Sequence, residues 1–192
     1  MTSAPSRQPA LDDAELVAAA ATGDPRAFDE LYQRHVDSVW RRLRRLVGPH
    51  TDCEDLVQQT FLAVYRALPR FRGDAAFTTF LYRIVVRIAS DHLRRARRSA
   101  ARTVAVTDLD DFVASGAGPD EAMHTREGLA RAFTMLAKIK PKKRIAWVLR
   151  VVEGLSLEQI ADLVDANAAA VGQRVKYAQR ELDALLEREV KR

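Results

Sequence analysis

An all-α fold, with two small helical domains either side of a flexible acidic linker, is the architecture this sequence predicts. Three observations carry that expectation. Ala, Leu, Arg and Glu dominate, and only 8 Gly and 7 Pro punctuate 192 residues, so helix propensity prevails in most windows. No useful stretch alternates apolar and polar residues with period two; apolar residues recur three and four apart, the spacing of one helix face. Charge falls in three blocks: +4 over residues 1–100, −3 over 101–120 and +4 over 121–192. Two basic parts separated by a short acidic one suggest two contacts with a polyanion. The predicted divisions are a disordered tail (1–10), a first domain (11–99), a linker (100–120) and a second domain (121–192), the last containing a helix-turn-helix.

The first helix is predicted from Leu11 to Thr22, opened by Asp12 and Asp13 at its positive end. Gly23-Asp24-Pro25 stops it and starts the next, with Asp24 as N-cap and Pro25 in the first helical position. That second helix reaches Val47. Its apolar stripe is Phe28, Leu31, Tyr32, His35, Val39, Leu43 and Leu46 or Val47. His35 reads as a packed histidine, since the sequence offers no recognisable carboxylate or cysteine partner.

Gly48-Pro49 ends the second helix, and a third starts at Thr51 with Asp52, Glu54 and Asp55 in its first turn. Those acids fit the helix dipole better than a metal or an acid–base pair, because no partner cluster follows. Val57, Phe61, Val64, Tyr65 and Leu68 form the stripe expected to face a core. Asp55, Gln58, Gln59, Leu62 and Arg66 form the opposite one. Amides beside an exposed leucine, with almost no opposite-charge pairing, fit either an ordinary amphipathic surface or a docking face.

Phe71-Arg72-Gly73-Asp74 breaks the chain before a fourth helix, predicted from Ala76 or Thr78 to Arg98. On it Arg83, Arg87, Arg94 and Arg98 fall within about 60° of one another at 100° per residue. Leu81, Val85, Ile88 and Ala89 point the other way, and Arg95, Arg97 and Arg102 extend the basic end. A stripe of arginine without interleaved glutamate is unlike a helix face stabilised by i,i+4 ion pairs; it suits phosphates. Phe77, Phe80 and Tyr82 lie close by, either to stack the bases of an opened strand or, for two of the three, as core.

Ala100 to Asp120 lacks periodicity and carries Asp108, Asp110 and Asp111 before Ser115-Gly116-Ala117-Gly118-Pro119, a linker composition. Glu121 to Ile139 then reads as a helix. Pro141 starts another, with Ile145, Val148, Leu149 and Val152 on one face and Gly154 closing it. Ser156 with Gln159 three residues on makes a capping box for a short helix to Val164. A turn at Asp165-Ala166-Asn167 leads into a basic helix from Ala168 to about Glu189. Two helices joined by so short a turn fit a helix-turn-helix.

Several functions are excluded or left without support. One cysteine, Cys53, permits no intramolecular disulfide and suits a reducing cytosol. With four scattered histidines it forms no metal cluster of known spacing, and no metal or other cofactor is expected. No apolar run reaches signal-peptide or membrane-spanning length. No nucleophile–base set or phosphate loop suggests an enzyme or a small-molecule substrate.

The ordered set Gly23-Asp24, Ala27-Phe28, Leu31-Tyr32, Glu54-Asp55-Leu56-Val57-Gln58-Gln59-Thr60-Phe61, Phe71-Arg72-Gly73, Phe77, Thr79, Leu81-Tyr82-Arg83-Ile84 and Leu93-Arg94-Arg95 resembles the extracytoplasmic-function group of bacterial RNA polymerase sigma factors. Gly154 to Leu182 is similar to that group's C-terminal helix-turn-helix, so the likeness runs from about Gly23 to Leu186. The resemblance implies a factor that binds core RNA polymerase, directs it to promoters and helps open the duplex. It assigns core binding to Asp55, Leu56, Gln58, Gln59, Leu62 and Arg66. Contact with the melted minus-ten element falls to Phe77, Phe80, Arg83, Arg87, Asp91, Arg94, Arg95 and Arg98. The minus-thirty-five element falls to Gln173, Arg174, Lys176, Tyr177 and Arg180. It further implies a bacterial cytoplasmic location, an anti-sigma partner, and an acidic linker that threads the polymerase's RNA path.

The chain departs from the group's pattern at four places. Arg87 stands where Asn is common, Phe80 replaces a common Trp, and Ala170 and Gly172 replace polar or basic residues of the recognition helix. Lys142, Lys143 and Arg144 read either as compensating backbone contacts or as a solvated helix start. The alternatives to promoter-specific initiation are a dimeric helix-turn-helix regulator and a sigma-like interaction module.

Overall fold

The computed structural model describes residues 11–48, 51–99, 128 and 131–191. The predicted tail and linker, and residues 121–127 of the predicted fifth helix, lie outside the described residues. Helices and turns account for the described chain, with no strand among the described residues. The all-α expectation holds.

Local chemistry sets the boundaries. α1 (Asp13–Ala21) starts two residues later than predicted, opened by a capping box between Asp12 and Glu15 with two bonds of 2.8 Å. α2 (Pro25–Val47) starts at Asp24, whose Oδ1 accepts from the Arg26 amide at 2.9 Å. Each such cap is worth about 1 kcal/mol because it satisfies an amide the helix itself cannot. α3 (Cys53–Ala67) starts two residues later than predicted, capped by Asp52. A 3₁₀ turn at Leu68–Arg70 and a bend at Gly73, φ +76°, lead into α4 (Phe77–Ser99).

α1 to α4 pack on one another around Leu31, Val39, Leu43, Leu46, Val64, Leu68 and Val85, all essentially without solvent exposure. Shortening one of these leucines to alanine removes buried methyl groups and costs about 2–5 kcal/mol. His35 has the carboxylate that the sequence did not reveal. Its Nε2 lies 2.8 Å from Asp13 Oδ2, and its ring packs edge-on against Phe77.

The C-terminal half begins with α5, helical over residues 131–138, followed by α6 (Pro141–Trp147). The chain then widens into a π turn, Val148–Val152, with the Glu153 amide donating to the Val148 carbonyl at 3.1 Å. This turn corrects one expectation. Val148 and Leu149 are buried as predicted, but Val152 faces solvent beside Val151 because the wider turn rotates it off the core face. α7 (Leu157–Val164) carries the predicted Ser156–Gln159 capping box. Asp165 turns the chain in the left-handed region, φ 48°, and Asn167 caps α8 (Ala168–Val190).

The two halves meet. α4 packs on α6 and α7, and the π turn packs on α2. Arg144 and Glu153 of the C-terminal half bond to the end of α2. His92 of α4 is pushed below its ordinary value by burial, with the positive charges of Arg95 and Arg144 adding to the effect.

Candidate nucleic-acid and protein interfaces

Three helix faces carry the residues singled out in the sequence. On α3, Asp55, Gln58, Gln59, Leu62 and Arg66 all face solvent, and Leu62 is 48% exposed. Tyr65, expected in the core, is instead 52% exposed and meets Phe28 edge-on. At 280° from Asp55 it borders the outer stripe rather than the inner one. Leu56 is corrected in the opposite sense: only 3% exposed, it belongs to the core and offers nothing to a partner. Thr60, not singled out in the sequence, is fully buried and satisfies its hydroxyl on the Leu56 carbonyl at 2.7 Å. The face is therefore nearly neutral, amide-rich and partly apolar, a composition suited to a protein partner.

Cys53 sits just inside the cap of this helix. Burial pushes its thiol up to about 11; Arg44 opposes that shift and Asp52 adds to it. At neutral pH the thiol stays protonated and screened from oxidants.

On α4 the outer stripe is cationic. Arg83, Arg87, Arg94, Arg95, Arg97 and Arg98 are all exposed. Among the described residues only Arg94 has an acidic partner, Asp91 on the preceding turn. Asp91, assigned to DNA by resemblance, is thus occupied in holding Arg94. Phe77 is a correction: 5% exposed, it packs against His35 and Phe80 as the first residue of a helix aimed into the core. Phe80 is half-buried against Phe71, at the rim of the arginine stripe. Tyr82 lies on the opposite side, with the Arg42 guanidinium 3.9 Å above its ring, and burial pushes its phenol up to about 12.

On α8 the predicted residues divide. Gln173, Lys176, Tyr177 and Arg180 lie within about 100° of one another and are exposed. Arg174 points aside, half-buried, into a cavity of about 730 Å³ between the two halves. Phe80, Arg83, Arg87 and Arg94 line one wall of that cavity, and Asp162 and Asp165 the other. Gly172 packs toward α7, where a Cβ would lie 3.4 Å from Leu157 Cδ1. The three cations that open α6 have three fates. Lys142 is exposed, Lys143 pairs with Glu181 under Tyr177, and Arg144 is buried. Arg144 is thus neither a backbone contact nor part of a solvated helix start.

Among the described residues, no group of three or more His, Cys, Asp or Glu could hold a metal ion, and no helix is long and apolar enough to cross a membrane.

A largely unpaired arginine stripe and a separate capped helix-turn-helix, both on an all-α frame, define a helical nucleic-acid-binding protein with two contact regions. Comparison with known proteins narrows the class. Residues 31–99 match the Sigma-70 region 2 family. The chain is 35% identical over 179 residues to the ECF RNA polymerase sigma-E factor of Escherichia coli K12, covering 90% of this chain and 93% of that protein. It is 34% identical over 181 residues to the RNA polymerase sigma-H factor of Pseudomonas aeruginosa, covering 91% and 94%. The solved structure of CnrH, bound to the cytosolic domain of CnrY, superposes with a TM-score of 0.60 at 30% identity, covering 91% of this chain and 97% of that one. RpoE of Bartonella quintana, solved with the anti-sigma factor NepR, shares the fold with a TM-score of 0.59 at 20% identity.

The chain belongs to the extracytoplasmic-function family of RNA polymerase sigma factors. It is a sigma factor, which binds core RNA polymerase, directs it to promoters and promotes DNA opening for initiation.

Proposed function

We propose a division of that function among the three faces. The outer stripe of α3 (Asp55, Gln58, Gln59, Leu62 and Arg66, with Tyr65 at its edge) docks the core polymerase. The outer stripe of α4, with Phe80 at its rim, holds the melted minus-ten strand, its arginines on phosphates and Phe80 offering a stacking surface. Gln173, Lys176, Tyr177 and Arg180 of α8 meet the minus-thirty-five duplex, where Gln173 suits an adenine edge and the cations suit phosphates. Residues 11–99 and 121–192 are then the region-2-like and region-4-like domains, and the acidic linker between them follows the polymerase's RNA path. The factor catalyses nothing itself, works in the bacterial cytoplasm, and is held by an anti-sigma partner, as RpoE of Bartonella quintana is by NepR.

The observation that carries this reading is the α4 stripe: six exposed arginines, of which one is paired. A face stabilised for its own sake would interleave acids. The test separates two assays on full-length protein. Arg83→Glu or Arg94→Glu is expected to reduce promoter opening far more than core affinity. Asp55→Ala or Gln58→Ala is expected to weaken core binding. Equal loss of opening and core binding in the arginine variants would sink the division. Should core bind the protein without any discrete start site appearing, the interaction-module reading takes its place.

A further inference from the structure

Two cavities share a border on the basic side of α4. The larger, of about 730 Å³, lies between α4 and the elements α6 to α8. Its lining follows α4 from Phe80 to Arg94, a length of about 21 Å at 1.5 Å per residue. A second space of about 460 Å³ continues beside Arg94, where Arg97, Lys140 and Lys143 join the lining. Arg94, Lys142 and Arg174 line both spaces, so they stand at the junction. They come from three different helices, α4, α6 and α8.

The protein does not neutralise the charge it gathers there. The larger space is lined by five basic and three acidic side chains, the second by six basic and no acidic ones. Asp91 is taken up by Arg94, and Lys143 pairs with Glu181. Among the described residues Arg97, Lys142 and Arg174 have no acidic partner. Like charges brought together from three helices repel one another, and a cleft focuses their field. A multiply charged anion relieves that repulsion. Phosphate suits it well, because guanidinium groups bind its oxygens in pairs.

The rest of the larger cavity offers more than an inorganic anion needs. Phe80 stands half-buried at the end away from Arg94. Ile84, Val86 and Ile145, all buried, add apolar lining. Asp162 and Asp165, both exposed, supply acceptors for hydroxyl or amine hydrogens. An aromatic ring, apolar lining and a few acceptors suit a base and its ribose. The volume also falls within the range of about 300–1,000 Å³ common for ligand pockets.

We propose that this cleft binds a purine nucleoside polyphosphate in an extended form. Its phosphates lie at Arg94, Lys142 and Arg174, and its nucleoside lies toward Phe80, Asp162 and Asp165. The site is additional to the promoter contacts and does not require α4 to read DNA, since Lys142 and Arg174 lie outside that stripe.

The experiment titrates GTP into the full-length protein by calorimetry in magnesium-free buffer, with tripolyphosphate as the second probe. One GTP per chain is expected to bind saturably, and more tightly than tripolyphosphate. Lys142→Ala with Arg174→Ala is expected to weaken GTP roughly a hundredfold, about tenfold for each charge-assisted contact. Lys176→Ala with Arg180→Ala removes the same charge from the outer face of α8 and is expected to leave GTP binding unchanged. Asp162→Ala with Asp165→Asn is expected to strengthen tripolyphosphate but not GTP; Asn tolerates the left-handed backbone at 165. Circular dichroism checks that each variant keeps its helices. Absence of saturable GTP binding overturns the proposal, and if the Lys142, Arg174 variant then weakens a single-stranded minus-ten oligonucleotide, the cleft belongs to the DNA track. Equal losses in the inner and outer pairs also overturn it, because they reveal attraction to net charge alone. Equal affinity for GTP and tripolyphosphate overturns the nucleoside half of the assignment.

Discussion

The cationic faces of α4 and α8 are both helical, both exposed and differently made. α4 sets six arginines along its outer side and solvent-end turns, with a single acid among them. α8 carries Gln173, Lys176, Tyr177 and Arg180 outward, while its flanks are tied down by Lys143–Glu181, Trp147–Gln179 and Gln179–Asp183. Solvent-exposed positive charge in bulk suits a backbone of phosphates, whatever the bases. A mixed row of amide, phenol and two cations suits a duplex edge, where position matters as much as charge. On the proposed assignment, the difference makes the two promoter contacts different in kind.

The sharpest attempt to break this comparison substitutes equal numbers of charges on each face. Arg83→Ala with Arg94→Ala removes two charge-assisted contacts of about 1.5 kcal/mol each, so open-complex formation should fall roughly a hundredfold. Lys176→Ala with Arg180→Ala should weaken recruitment to duplex promoters instead, lowering the salt slope of binding by about two. If both pairs alter the same step equally, the faces are not specialised.

A smaller effect tests the division within α8. Arg174 faces the cavity rather than the duplex side, so Arg174→Ala should leave the salt slope for minus-thirty-five duplex nearly unchanged where Lys176→Ala lowers it by about one. The smallest effect concerns Gly172. Its Cβ position is in ordinary contact with Leu157, so Gly172→Ala should raise stability by up to about 1 kcal/mol through helix propensity, read as a melting temperature higher by about 2–4 °C. Duplex affinity should not change. A loss of affinity would show that the glycine serves close approach to DNA.

Much of this molecule is legible one helix at a time. The caps at Asp24, Ser156 and Asn167, the break at Gly73 and the arginine stripe of α4 depend on residues within a turn or two of one another. Local sequence therefore determines them, and with them the all-α class and the two cationic faces. Tertiary packing decided the residues that stand at the borders of a stripe. Leu56 and Tyr65 both sit at such edges, and only the positions of α2 and α4 bury the first and expose the second. Phe77 is core because α2 places His35 against it. Arg174 leaves the duplex side because α4 stands beside α7. Arg144 is the extreme case: one of three adjacent cations in the chain, it is buried solely because a carbonyl nearly a hundred positions away meets it. A helix period fixes which way a side chain points, but what it then meets is set by the rest of the fold.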